Sequence, residues 1–242
     1  MKEKVFLTAE WRKLIMANYV IDPSVLVPYM PAGIEPDHWN GHCYVSLVGF
    51  MFNNVRVKGI SIPFHTDFPE VNLRFYVRYQ EKNEWKRGVV FISEIVPKPA
   101  ISFVANVLFN EHYTAMPMRH SCQAKDEKLN ASYLWKTKGK WNHLEVLADA
   151  KPEALQEGSM EEFITEHFWG YSAIGQHKTG EYHVEHPRWD IYPVRSYTIE
   201  CDFAALYGDD FAFLQQAKPV SVFMAEGSAV KVFTKKVLSV SF

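Results

Sequence analysis

Four polar residues spaced two apart, Glu70, Asn72, Arg74 and Tyr76, alternate with the apolar Val71, Leu73, Phe75 and Val77. In an extended strand this spacing gathers one set of side chains on one face and the other set on the opposite face. The polar set has the parts of an anion site: a guanidinium that holds a carboxylate bidentately, and a glutamate able to act as acid, base or partner to it. A strand whose polar face meets water shows the same alternation, as is common in antiparallel sheets. Spacing alone leaves both placements open.

The remaining reactive residue types give little. The tightest histidine cluster is His183-Val184-Glu185-His186, and strand residues three apart point to opposite faces, so no metal site is expected. His186, ahead of Pro187 and Trp189, reads as the anchor of a strand end or as a neutral imidazole beside a pocket. A Schiff-base lysine needs burial or a cationic neighbour to lower its pKa. Lys98 lies between two prolines, and the adjacent Lys235 and Lys236 would face opposite ways on a strand, so no lysine stands out. The G-x-S-x-G, G-x-G-x-x-G, Walker and H-E-x-x-H patterns are missing, which argues against the common hydrolase, dinucleotide and zinc-protease classes, and no cofactor is expected. Cys43, Cys122 and Cys201 are odd in number and far apart, as expected of reduced thiols. A net charge of −2 without a Lys/Arg run gives nucleic acid nothing to bind. No signal-like or bilayer-length apolar run is present, so the expectation is a cytoplasmic protein without membrane contact.

The elements that must position these residues are mostly strands. An aromatic fraction of 15% suits pleated surfaces, and 242 residues fit one β domain spanning 1–242. Asp22-Pro23 predicts a short helix to Tyr29, and Asn40-Gly41 a type I′ turn into a strand over 43–48. Strands over 71–79 and 89–96 form a hairpin, followed by a helix over 100–109. Further strands are expected over 113–121, 128–137, 141–147, 171–177, 182–186 and 191–201, with turns at Lys138-Gly139-Lys140 and Thr179-Gly180. Ser159-x-x-Glu162 is a capping box that opens a helix over 160–168. Glu226-Gly227-Ser228 reads as the turn of a closing hairpin between strands over 220–225 and 230–240. Closure of these strands into a barrel would remove exposed edges.

Several of these stretches together resemble a known family. Trp11, Tyr29-Met30-Pro31-Ala32-Gly33-Ile34, Trp39-Asn40-Gly41-His42-Cys43-Tyr44-Val45 and Pro69-Glu70-Val71-Asn72-Leu73-Arg74-Phe75-Tyr76-Val77 are similar to the YqjF-like family of uncharacterised bacterial proteins. Glu162-Phe163-Ile164-Thr165-Glu166-His167-Phe168, Tyr171 and His186-Pro187-Arg188-Trp189 resemble its second characteristic region. That family is related to acetoacetate decarboxylase. The resemblance implies a mainly β fold, an antiparallel cone-shaped barrel with a few short α-helices, a pocket inside the cone and homo-oligomers. It favours the interior placement of Glu70, Asn72 and Arg74.

In the decarboxylase a Pro-Lys-Lys segment supplies the Schiff-base lysine and the second lysine that lowers its pKa. The matching stretch here is 105–114, where Tyr113 and Thr114 stand in place of both lysines. A phenol forms no imine, so decarboxylation by that route is not expected. The expectation is therefore a protein that binds a small organic ligand, a carboxylate or carbonyl compound, with Arg74 as the anion contact. Asn72, Tyr76, His112, His167 and His186 are the other candidate ligand contacts; Glu166 and His167 are neighbours on a helix, so one of them faces inward. Glu70 and Tyr113 are candidate catalytic residues for a lysine-independent lyase or isomerase. A non-catalytic ligand sensor, with Tyr113 only closing the wall, is the alternative from a different class.

Overall fold

The computed structural model describes residues 4–109 and 111–239. In chain order the strands are β1 (Val5–Ile21), β2 (Glu35–Pro36), β3 (Cys43–Val57), β4 (Phe68–Glu81), β5 (Glu84–Val96), β6 (Tyr113–Ala115), β7 (Met118–Lys125) and β8 (Lys128–Thr137). They continue as β9 (Lys140–Asp149), β10 (Trp169–Gly175), β11 (Lys178–Glu185), β12 (Ile191–Tyr192), β13 (Val194–Glu200), β14 (Ser221–Phe233) and β15 (Lys236–Ser239). The α-helices are α1 (Pro23–Leu26), α2 (Pro99–Phe109), α3 (Met160–Thr165) and α4 (Phe203–Tyr207), and 3-10 turns cover Val27–Tyr29 and Asp209–Gln215.

Seven strands make a ring in the order β14-β1-β3-β4-β5-β10-β11, and β11 returns to β14 through the pairs Val184↔Val232 and Glu185↔Lys231. The ring pairings are antiparallel except β5–β10, which run parallel at Trp169↔Gly88 and Gly170↔Val89. A second, antiparallel sheet, β13-β9-β8-β7, packs on the outside of the ring. Alternation along each strand therefore feeds two cores. Val71, Leu73, Phe75 and Val77 of β4 join Leu129, Tyr133, Trp135 and Leu144 of the outer sheet, while Phe50, Phe52, Phe68 and Val89 pack within the ring.

The long ring strands curve because they are kinked. Lys13 in β1 takes φ 55°, where the register with β3 shifts, and the Tyr133 hydroxyl of the outer sheet donates to its carbonyl at 2.9 Å. Extra residues of this kind bend and coil a strand so that a sheet can close. Local signals act as expected where they are strongest. Asn40 and Gly41 take φ 49° and 80° in a tight turn, Asp22 caps α1 through Ser24 N–H, and the Ser159 hydroxyl accepts from Glu162 N–H at 3.1 Å.

The structure corrects several expectations. Glu226-Gly227-Ser228 is no hairpin turn: β14 runs on through it, with Gly227, at φ 80°, paired opposite Arg12. The strand expected over 113–121 breaks at Pro117, and that over 191–201 at Pro193; each half joins a different sheet, since proline carries no N–H for the ladder. The turn between β10 and β11 lies at Gln176-His177, and Thr179 is buried with its hydroxyl on the Ala32 carbonyl. Helix α3 ends at Thr165, three residues early. The helical turns between Phe203 and Gln215 had no clear periodic signal, and Val240 lies outside the described residues.

Gly227 gives a test of how closely β14 approaches β1. A Cβ there would lie 1.9 Å from the Trp11 carbonyl oxygen, whereas at Gly139, also at positive φ, it would meet nothing within 4 Å. Gly227→Ala should lower stability in urea denaturation by more than about 3 kcal/mol, and Gly139→Ala by about 1 kcal/mol. Equal losses would mean that backbone conformation alone, and not the approach of β1, fixes glycine at 227.

Candidate active site

The ring encloses a cavity of about 250 Å³ to which each of its seven strands contributes wall. That is smaller than the roughly 300–1,000 Å³ of drug-sized sites. Most of the wall is aromatic or aliphatic, from residues such as Trp11, Phe50, Phe91 and Trp189. Against this background stands the even-numbered face of β4: Phe68, Glu70, Asn72 and Arg74 all line the cavity.

A kink in β5 adds a further carboxyl. Leu73 pairs with Ser93 but Arg74 with Phe91, so Ile92 is an extra residue and the alternation of β5 changes phase. Val89 and Phe91 face the cavity before the kink and Glu94 after it, directly across from Asn72. Strand β6 runs parallel to the end of β5 with Tyr113 beside Glu94, which brings the phenol onto the wall together with Glu111.

Glu70, 2% exposed, is held by two donors. Asn72 Nδ2 donates to Oε1 at 2.9 Å and the Tyr113 hydroxyl to Oε2 at 3.1 Å. Burial nonetheless outweighs both hydrogen bonds and the nearby Arg74 and pushes its carboxyl up to about 7. Burial likewise raises Glu111 to about 8, against the Tyr182 phenol and Lys235, and carries Glu94 well above the usual range with Glu111 and Glu70 adding repulsion. A cluster of carboxyls that holds protons near neutrality is equipped for proton transfer.

His167 reaches the wall just beyond α3. Its Nε2 lies 3.1 Å from Asp37 Oδ2, which also accepts from Arg87 Nε at 2.6 Å. Burial would raise the Asp37 carboxyl, but these two donors hold it down at about 2. Burial lowers His167 to about 4, so the ring is neutral, gives its Nε2–H to Asp37 and presents the Nδ1 lone pair. His186 also lines the cavity, stacked on Trp189 at 4.1 Å between centroids, with Nδ1 on the Pro187 carbonyl.

Glu70, Asn72, Arg74, Tyr113, His167 and His186 thus share one cavity wall, whereas Tyr76 and His112 do not reach it. Tyr76 lies under α3 against Phe163 and His167, its hydroxyl bonded to Ser46 at 2.7 Å. His112 is exposed because alternation in the segment entering β6 turns its neighbour Tyr113 inward. Sequence reasoning missed Asp37, Glu94, Glu111 and Tyr182. Glu94 left one trace, as the sole charged residue in Val89–Val96.

Nine buried polar side-chain atoms have no hydrogen-bond partner among the described residues, and six are on this wall: Trp11 Nε1, Asn72 Oδ1, Arg74 Nε, Glu94 Oε2, Glu111 Oε1 and His167 Nδ1. An unsatisfied buried polar group costs about 1–3 kcal/mol, so this concentration does not serve the fold.

Solved structures of the same architecture place the chain in a class. It matches acetoacetate decarboxylase from Legionella pneumophila subsp. pneumophila str. Philadelphia 1 with a TM-score of 0.65 at 14% identity, over 97% of this chain and 87% of that one. An acetoacetate decarboxylase-like enzyme from Sphingomonas wittichii RW1 gives 0.68 at 14% identity, over 98% and 95%. The enduracididine biosynthesis enzyme MppR complexed with pyruvate gives 0.65 at 11% identity, over 99% and 92%. The fold is that of the acetoacetate-decarboxylase-like proteins, and identities this low establish the fold alone.

Within that class the chain belongs to the DUF2071 family of uncharacterized conserved proteins, whose profile matches residues 8–229. The uncharacterized protein YqjF of Bacillus subtilis (strain 168) is 36% identical over 84 residues, 34% of this chain and 33% of that relative's length.

The raised carboxyls predict a pH dependence of stability. In the unfolded chain Glu70 and Glu111 lose their protons in the ordinary carboxylate range, while the folded protein keeps them. Folded molecules then bind more protons, and stability is lost as pH rises through the folded values. His167, buried neutral, acts oppositely and only below its ordinary range. Melting temperature should therefore fall between about pH 6.5 and about pH 8, and Glu111→Gln should flatten that fall. An unchanged slope in the variant would show that Glu111 is already ionised in the folded protein.

Proposed function

We propose that the cavity binds a small organic acid bearing a carbonyl group, with Arg74 holding its carboxylate and no covalent lysine adduct. The observation that carries this reading is the state of Arg74. It is the sole Lys or Arg on the wall among the described residues, forms no ion pair among them, and keeps its buried Nε without an acceptor. Its recorded side-chain contacts are weak ones, Met16 Sδ at 4.0 Å and the Tyr76 ring at 5.7 Å. A guanidinium left in this way in an aromatic cavity is matched by a bidentate carboxylate. The names of the structural neighbours, acetoacetate decarboxylase and an enzyme complexed with pyruvate, point to carbonyl acids of the same size.

The missing imine chemistry follows from position 113. The resemblance to the decarboxylase implies that Tyr113 and Thr114 stand in place of the lysine pair; Tyr113 directs its phenol to Glu70, and no lysine lines the cavity among the described residues. That same 3.1 Å contact favours a second reading, acid–base catalysis by a lysine-independent lyase or isomerase. A carboxyl titrating near neutrality takes a proton from carbon next to a carbonyl, and the Tyr113 phenol donates to the oxygen.

Arg74→Ala should abolish the thermal shift produced by acetoacetate, pyruvate or whichever carboxylate in a screen stabilises the wild type; an undiminished shift would remove Arg74 from the site. Borohydride treatment with acetoacetate should leave the intact mass unchanged, whereas a reduced adduct would overturn the lysine-free assignment. If a ligand found in this way is turned over, Glu70→Gln should slow kcat by about 10²–10⁴ with the fold intact. Unaltered turnover would favour binding without acid–base work by Glu70.

A further inference from the structure

The cavity wall is unbalanced in charge and in hydrogen bonding. Three carboxyls, Glu70, Glu94 and Glu111, share it with one guanidinium. Glu70 already accepts from Asn72 and Tyr113. Glu94 and Glu111, 2% and 8% exposed, each keep one buried oxygen, Oε2 and Oε1, without a donor among the described residues. A separate side chain shows the same lack. Asn72, 1% exposed, uses its amide nitrogen on Glu70, and its Oδ1, which can only accept, has no donor among the described residues.

The register places these atoms together. Asn72 sits opposite Glu94 across β4 and β5, Glu94 sits beside Tyr113 across β5 and β6, and Glu111 is two residues ahead of Tyr113. We propose that this end of the cavity, where Asn72, Glu94 and Glu111 meet, receives a cationic nitrogen group of the ligand whose carboxylate Arg74 holds, so that the ligand is a small zwitterion such as an amino or amidino acid. The inference rests on the reading of Arg74 as the carboxylate contact. An ammonium offers three donors and no acceptor, and an amidinium offers donors alone, which is what three unsatisfied acceptors require. A divalent cation is a poorer match, because no group of three or more His, Cys, Asp or Glu is arranged to hold a metal among the described residues.

Recognition of this kind moves a proton. The groups facing Glu94 are Glu111, Glu70, Tyr113 and Tyr182; those facing Glu111 are Glu94, Tyr182, Lys235 and Glu70. Burial outweighs the favourable contacts, so that Glu111 is pushed up to about 8 and Glu94 well above the usual carboxylate range. An arriving ammonium keeps its own proton, and the carboxyl releases one to solvent to become the paired carboxylate. Cation binding is therefore tighter at higher pH and releases protons, whereas binding of a neutral or anionic group to the protonated carboxyls releases none.

The test uses the full chain and a series of straight-chain ω-amino acids, with the matching carboxylic acids and the matching amines, in isothermal titrations run in buffers of different ionisation enthalpy. The expected result is that some amino acid in the series binds about tenfold or more tighter than its matching acid, releases up to one proton near pH 6, and gains affinity toward pH 8. Glu94→Gln and Glu111→Gln should each remove that preference and the proton release while leaving the acid bound. Acids that bind as tightly as every amino acid, or a preference untouched by both glutamine variants, would overturn the inference and leave the Arg74 site standing. Amines that bind as well as the amino acids, with acids that do not bind, would support the cation subsite and overturn the Arg74 reading instead. If no member of the three sets binds, both fail.

Discussion

The structure depends on the inward turn of one polar strand face. Glu70, Asn72 and Arg74 on β4 are enclosed by a ring whose other inward residues are largely aromatic and aliphatic. Charges moved from water into such surroundings are stable only when paired or neutralised. Here Glu70 is met by the Asn72 amide and the Tyr113 phenol and is pushed toward neutrality, whereas Arg74 stays half-buried without an ion-pair partner among the described residues. That asymmetry separates the site from an ordinary buried ion pair.

Several features of the fold serve to keep that face inward. The opposite face of β4 is committed to the core beneath the outer sheet, and a slip of one residue would drive Val71, Leu73 and Phe75 into the cavity and Glu70 into that core. The extra residue at Lys13, where the register of β1 with β3 shifts, bends β1, and β11 pairs with β14 to close the ring. Tyr133 binds the Lys13 carbonyl from outside, and its ring fills the space a side chain at Gly49 would need. The outer sheet is thus joined to the curvature that forms the cavity.

A second constraint holds the far wall. Asp37, ahead of β3, accepts from Arg87 on β5 and from His167 after α3, so one carboxylate links three segments distant in sequence. Because Arg87 supplies the neutralising charge, His167 needs no proton of its own beyond the one on Nε2, and its Nδ1 is kept as an acceptor toward the cavity. The imidazole orientation follows from this network, with Phe163 and Tyr76 packed against its faces and edge.

The order of strands with a few short helices was legible in the sequence, because period-two alternation, the Asn40-Gly41 turn and the caps at Asp22 and Ser159 act over a few residues. So was the polar set at 70, 72 and 74, whose spacing required a shared face. Which side that face meets was decided by tertiary structure, since alternation is the same for a wall and a surface. Closure of the ring, the passage of β14 through Gly227, and the phase change at Ile92 that brings Glu94 rather than Ser93 to the wall all depend on pairing with distant strands. Glu111 and Asp37 carried no local sign of their roles for the same reason: a carboxyl enters a cavity through contacts that the chain makes only when segments far apart in sequence are packed together.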